Sequence, residues 1–221
     1  MRCDNILQTI GQTPLVRINK IWKHPKVQIW AKLEGWNPMG SVKERPAIYI
    51  IEAAEKDGTL KEGMGILESS SGNTGIGLAL IGAVKGYAVT ICMPQKVSVE
   101  RRKILQALGA EIVFTSEKGG SDEAWEMAER LHRENPGKYF YTRQYSNINN
   151  TLSHYEGTAL EIWQEMEGRV DVIAVGLGTC GTIIGMARRL KELNPKLKVV
   201  ALEPQRSHTQ QGLRNMEDSR V

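Results

Sequence analysis

Apolar and polar positions along the chain alternate between two periods, and the change of period marks the elements. Short apolar runs bounded by turn residues predict strands at 27–34 (VQIWAKLE), 64–70 (MGILESS), 87–94 (YAVTICMP), 111–116 (EIVFTS), 138–142 (KYFYT), 170–176 (VDVIAVG) and 198–203 (KVVALE). Between them a spacing of three to four predicts helices at 43–58, 74–86, 98–110, 121–135, 151–166 and 182–193. Pro46 is tolerable in a first turn and Gly58 stops its helix. Ser98 is placed to cap the third helix, and Glu126–Arg130 and Glu129–Arg133 are spaced as pairs on the wet face of the fourth. Strands alternating with helices predict an α/β protein built on a parallel sheet with helices on both faces. The run at 170–176 is apolar at nearly every position, as a strand covered on both sides requires. YSNINN (145–150), rich in turn residues, is the best place for two lobes to meet.

Composition narrows the class. The 221 residues are 41% hydrophobic and 24% charged, enough for one large domain or two small ones with real cores. A net charge of +4 is too small to imply nucleic acid, and its tightest basic cluster, Arg101–Arg102–Lys103, reads as a solvated helix face. Three distant cysteines and four histidines without ligand spacing suggest neither a disulfide framework nor a metal site. The first residues, MRCDNILQTIGQTPL, lack a signal-peptide core, and the longest apolar run is too short for a bilayer. The expectation is a cytoplasmic, reduced protein without membrane or nucleic-acid partners.

Three loops carry candidate chemistry. In GWNPMGSVKERPA (35–47), Lys43 falls at a helix start, where the macrodipole disfavours its ammonium form. A neutral amine there suits Schiff-base chemistry, although spacing alone equally describes an exposed lysine. In LESSSGNTGIGLALIG (67–82), the small polar residues Ser69 to Thr74 run straight into an apolar helix. They form either an anion site for a carboxylate or phosphate, or an ordinary capped turn. The third, Gly176-x-Gly178-x-x-Gly181, spells a dinucleotide fingerprint with Glu203 as the ribose-binding acid. The unit comes late in the chain for a nicotinamide fold, and Thr179 and Thr182 suit a single phosphate as well.

NPMGSVKER, SSSGNTG and GLGTCGTI, in this order, together with LQTIGQTPLVRI, SVERRKILQALGAEIV and HYEGTALEIW, resemble the fold-type II pyridoxal-phosphate enzymes. The resemblance covers nearly the whole chain and is to the O-acetylserine sulfhydrylases, the cysteine synthases, nearer their B branch. It implies a two-lobed, three-layer α/β/α fold with parallel-rich twisted sheets. A smaller mobile lobe would span 35–145, and a larger cofactor-phosphate lobe would combine 1–34 with 146–221. It implies pyridoxal 5′-phosphate bound covalently by Lys43, touched at its hydroxyl by Asn73, and held at its phosphate by Gly178, Thr179, Cys180, Gly181 and Thr182. Ser70, Ser71, Gly72, Thr74 and Gln144 would hold the substrate carboxylate.

The implied reaction is β-replacement on O-acetylserine or O-phosphoserine with sulfide or a sulfur carrier, in a homodimer. QQGLRNMED resembles the cysteine synthases that take O-phosphoserine, which puts Arg214 on the substrate phosphate. Ser70 stands where many relatives have threonine, and Cys180 where they have glycine or threonine. Relatives continue beyond the equivalent of Val221, so the expectation is an incomplete larger lobe. A cystathionine β-synthase-type reaction, a nicotinamide oxidoreductase and a non-catalytic binding protein are the rival readings.

Overall fold

The computed structural model describes residues 2–70, 72–208, 210 and 212–217. Its first two strands, β1 (Leu15–Ile18) and β2 (Ile29–Lys32), form an antiparallel pair with Leu15 opposite Lys32 and Ile18 opposite Ile29. The expected strand at 27–34 is therefore not part of the parallel series. Its partner, LVRI, is too short to display a period, which is why the pairing is invisible in the sequence.

The main sheet follows. α1 (Glu44–Asp57) ends at Gly58, whose φ of 75° is the left-handed cap glycine permits. Then come β3 (Gly65–Ser69), α2 (Asn73–Lys85), β4 (Val89–Pro94), α3 (Val99–Ala107), β5 (Glu111–Thr115), α4 (Gly120–Glu134) and β6 (Tyr139–Tyr141). The strands lie parallel in the order β5-β4-β3-β6, with Ile66 of β3 opposite Val89 and Phe140. Ile66, Ile91 and Met93 point to the face covered by α1, α2 and α3, where Ile51, Leu78, Ile81 and Leu105 meet them. Leu67 and Cys92 point to the other face and pack on Ala124 and Ala128 of α4. Every residue of β3 and β4 is buried, so each Leu or Ile contributes about 1.5–3 kcal/mol. The three-layer α/β/α expectation holds here.

The remainder is α5 (Ile148–Ser153), a π-turn at His154–Thr158, α6 (Ala159–Glu165), β7 (Val172–Gly176), α7 (Gly181–Leu193) and β8 (Lys198–Leu202). The single helix expected at 151–166 is thus longer and carries a π-turn at its centre. β7 and β8 pair parallel in a sheet of their own. Ile173 packs with Ile162, Met186 and Leu190, while Val172 is 52% and Leu202 54% exposed. The expectation that 170–176 is covered on both faces is therefore corrected: α6 and α7 cover one face only among the described residues. Two smaller expectations also fail. Ser98 occupies the N-cap position of α3 without a capping side-chain bond. Glu129 turns to Arg143 at 2.9 Å rather than to Arg133, and Arg130 bonds Met127 Sδ rather than Glu126.

Candidate active site

The C-terminal ends of β3 and β7, the start of α1 and the segment after β6 converge on one cavity of about 620 Å³. Open α/β sheets bind ligands at this end of their strands. Lys43 lines it with Ser70, Gly72, Asn73 and Thr74. Gln144, Gly178, Thr179 and Arg214 complete the wall among the expected residues. Ser71 lies outside the described residues. Cys180, Gly181 and Thr182 do not line the cavity but form the back of the loop that does.

Lys43 is the N-cap residue of α1. The turn before it is fastened by Glu44, fully buried, which accepts the Met39 N–H at 2.9 Å and the Ser41 N–H at 3.1 Å. Burial lowers the Lys43 pKa below the ordinary lysine value, and the Cys180 thiol acts in the opposite sense. The neutral amine expected from helix position is thus favoured mainly by desolvation.

The loop after β3 is organised by Ser70. Its hydroxyl accepts the N–H groups of Gly72 at 3.3 Å and Gly75 at 3.2 Å. Thr74 donates its hydroxyl to Gln144 Oε1 at 2.7 Å, which ties the loop to the segment after β6. A helix N-terminus opening on a cavity offers N–H donors to an anion. Arg101 adds positive charge: its guanidinium lies 3.7–3.8 Å from where a Gly72 Cβ would stand, and it lines the cavity. The solvated-face reading of Arg101 is corrected here. α3 begins beside the carboxyl end of β4, so its first turn faces the ligand side, and the order of elements could have signalled this.

The loop after β7 needs its glycines. A Cβ on Gly178 would stand 2.4 Å from the Gly212 carbonyl, and one on Gly181 2.2 Å from Asn150 Oδ1. Cys180, at the N-cap of α7, has φ 63°. A left-handed residue with a Cβ is strained by about 1–2 kcal/mol. Cys180→Gly is expected to raise the melting temperature; a lower one would show that the thiol's packing outweighs the strain. Behind the loop, Thr182 Oγ1 shares a hydrogen bond with His154 Nε2 at 3.1 Å, and His154 Nδ1 another with Thr158 at 2.9 Å. Burial, aided by Lys43 and Arg45, pushes His154 down to about 3, so it is neutral. Thr182 is therefore engaged behind the loop rather than at the cavity. At the mouth, Arg214 stacks on Tyr145 at 4.3 Å and donates to its hydroxyl at 2.7 Å. Glu203 accepts the Met216 N–H at 2.6 Å, so the acid a nicotinamide ribose would need is committed to the backbone.

A model of the pyridoxal-phosphate dependent enzymes matches residues 6–220. The chain is 43% identical to the cysteine synthase of Aquifex aeolicus over 98% of its own length and 67% of that protein's. It is 48% identical to the cystathionine beta-synthase of Rattus norvegicus over 92% of its length and 37% of that protein's. The solved cysteine synthase of Entamoeba histolytica superposes with a TM-score of 0.91 at 46% identity, over 96% of this chain and 67% of that one. The chain thus spans about two thirds of the length of the cysteine synthases it matches.

Proposed function

The chain belongs to the family of pyridoxal-phosphate dependent enzymes, and from that premise we propose that it makes L-cysteine by β-replacement on an O-activated serine. The observation that carries the reading is one cavity bringing together a half-buried lysine with a lowered pKa, a helix N-terminus and a glycine-bearing loop. These residues fit pyridoxal 5′-phosphate: Gly178 and Thr179 would hold its phosphate, Asn73 its ring hydroxyl, and Lys43 would hold it covalently. Cys180, Gly181 and Thr182 would shape that phosphate loop from behind. When bound, the cofactor supplies the electron sink for chemistry at the substrate's α-carbon.

The chain's own groups do the rest. Ser70, Ser71, Gly72, Thr74 and Gln144 would bind the amino-acid carboxylate and so orient the Cα–H bond. The Lys43 amine, whose pKa desolvation lowers, accepts the α-proton at Nζ and returns a proton when product leaves. The lobe of residues 35–145 would close over the bound substrate against the rest of the chain and exclude water. An absorption spectrum before and after O-acetylserine tests this: a yellow form that shifts, with cysteine released, is expected. A protein that stays colourless in pyridoxal phosphate sinks the reading.

Arg214 would select the leaving group. Its place at the mouth suits the phosphate of O-phosphoserine. Arg214→Ala is expected to lower kcat/KM for O-phosphoserine about tenfold or more, the weight of a charged hydrogen bond, while sparing O-acetylserine. Equal loss on both substrates would refute a leaving-group role. A second reading follows from the comparable identity to cystathionine beta-synthases, of which the chain spans a smaller share: homocysteine in place of sulfide as nucleophile, which product identification separates. We further assign a cytoplasmic homodimer, supported by three free thiols and by exposed Trp22 and Trp30. No helix among the described residues is long and apolar enough to cross a membrane.

A further inference from the structure

Two buried polar residues, Glu68 and Asn150, stand between the carboxylate loop and the phosphate loop. Glu68, on β3, is 1% exposed. Its Oε1 accepts the Ser69 N–H at 2.7 Å, at the root of the carboxylate loop. Its Oε2 accepts the Gln144 N–H at 3.1 Å and the Thr142 hydroxyl. Asn150, on α5, is 4% exposed. Its Nδ2 donates to the Gln144 carbonyl at 2.9 Å and to the Thr179 hydroxyl, on the phosphate loop, at 2.9 Å. Its Oδ1 fills the space a Cβ on Gly181 would need.

Gln144 is therefore gripped at its N–H by Glu68 of β3 and at its C=O by Asn150 of α5, while its side chain accepts from Thr74. The three links to Gln144 are buried and the Asn150–Thr179 link is part-buried, and a donor or acceptor left unpaired there is expensive. Such a chain does not stretch gradually. It holds one separation or breaks.

We propose that Glu68 and Asn150 are positioning residues that hold Gln144 as a strut between the two loops, so that each loop's affinity for its ligand depends on a residue buried behind the other. The identity of the two ligands, an amino-acid carboxylate and the phosphate of pyridoxal phosphate, rests on the cysteine synthase reading. The strut itself rests on geometry.

The test is a crossed one with isosteric variants. Glu68→Gln turns one acceptor into an amide NH₂ facing an N–H or hydroxyl donor. Asn150→Asp turns the doubly donating NH₂ into an oxygen facing the Gln144 carbonyl. Each protein is titrated with pyridoxal phosphate by absorbance, and the KM for O-acetylserine is measured at saturating cofactor. Glu68→Gln, which touches only the carboxylate side, is expected to weaken pyridoxal phosphate binding about tenfold, the effect of one buried hydrogen bond lost. Asn150→Asp is expected to raise the KM for O-acetylserine about tenfold, with a smaller change in kcat. Should an isostere fail to fold, Thr142→Val removes only the hydroxyl that braces Glu68, and the same crossed effect on cofactor binding is expected at about threefold. Variants that each weaken only their own loop's ligand, or neither, overturn the strut while leaving the cysteine synthase reading intact. A wild-type chain that binds no pyridoxal phosphate overturns both.

Discussion

Lys43→Ala is expected to lose all measurable β-replacement and the yellow form of the protein, while folding at least as stably as the parent. Losing a positioned proton acceptor alone costs about 10²–10⁴-fold in rate. Losing the covalent hold on the cofactor proposed for it would add to that. The stability half of the prediction follows from linkage. Burial lowers the Lys43 pKa below its ordinary 10.5, so the unfolded chain binds this proton more tightly than the folded one. Stability from this group rises with pH across the window between the lowered value and 10.5, so below 10.5 its desolvation is a cost. Alanine removes that cost. In the parent, turnover should fall as pH drops through the lowered value and Nζ becomes protonated. Paired rate and thermal-melt measurements check both halves. A variant that is inactive because it is unfolded leaves the proton role without support, and one that still turns over ends it.

What the sequence disclosed divides by range. Helix ends at Gly58 and Gly86, with φ of 75° and 83°, are readable because a glycine after the last periodic residue is a local signal. The three candidate loops are readable for the same reason, since each joins small residues to a helix start in one stretch. Their convergence was expected only through family resemblance. Apart from the uncapped Ser98 and the Arg130–Met127 contact, the misses depend on what packs together from distant positions. LVRI becomes a strand only because 29–32 lies against it. Glu129 chooses Arg143 over Arg133 because β6 delivers that residue beside α4. Glu68 and Asn150 sit among apolar or turn residues that predict nothing polar and buried. The bareness of one face of β7 depends on what packs there, and an apolar run does not encode that.

The largest stability effect is expected from Arg45, two residues after the lysine. Its guanidinium is 4% exposed and donates to Glu34 at 2.7 and 2.9 Å, to Glu161 at 2.6 and 2.7 Å, and to Thr13 at 3.1 Å. Lys32 reaches Glu161 at 3.0 Å, and Gln12 donates its N–H to the same carboxylate at 3.0 Å. The cluster thus joins the N-terminal segment, α1 and α6, and it fixes the helix whose first turn presents Lys43. Arg45→Ala takes the main partner from two carboxylates that are only 18–19% exposed, a loss that reaches about 3–5 kcal/mol where such charges are fully buried. Against a total stability of about 5–15 kcal/mol, that brings the chain near unfolding at physiological temperature. Arg45→Lys should rescue little, because one ammonium cannot bond both carboxylates as a planar fork does.

The pH dependence carries the diagnosis. Burial alone would raise Glu161, but Arg45, Gln12 and Lys32 overcome it and hold the carboxyl at about 2. In the parent this contribution is fully present above the ordinary 4.5 and is lost as pH falls toward 2. In Arg45→Ala the opposing burial is left largely unanswered, so the Glu161 pKa should rise. The variant should then recover stability on mild acidification, where the parent begins to lose it. Urea unfolding at pH 7 and pH 4 measures both slopes. A loss at pH 7 below about 1 kcal/mol would mean that water reaches these carboxylates and that the cluster behaves as ordinary surface pairs do.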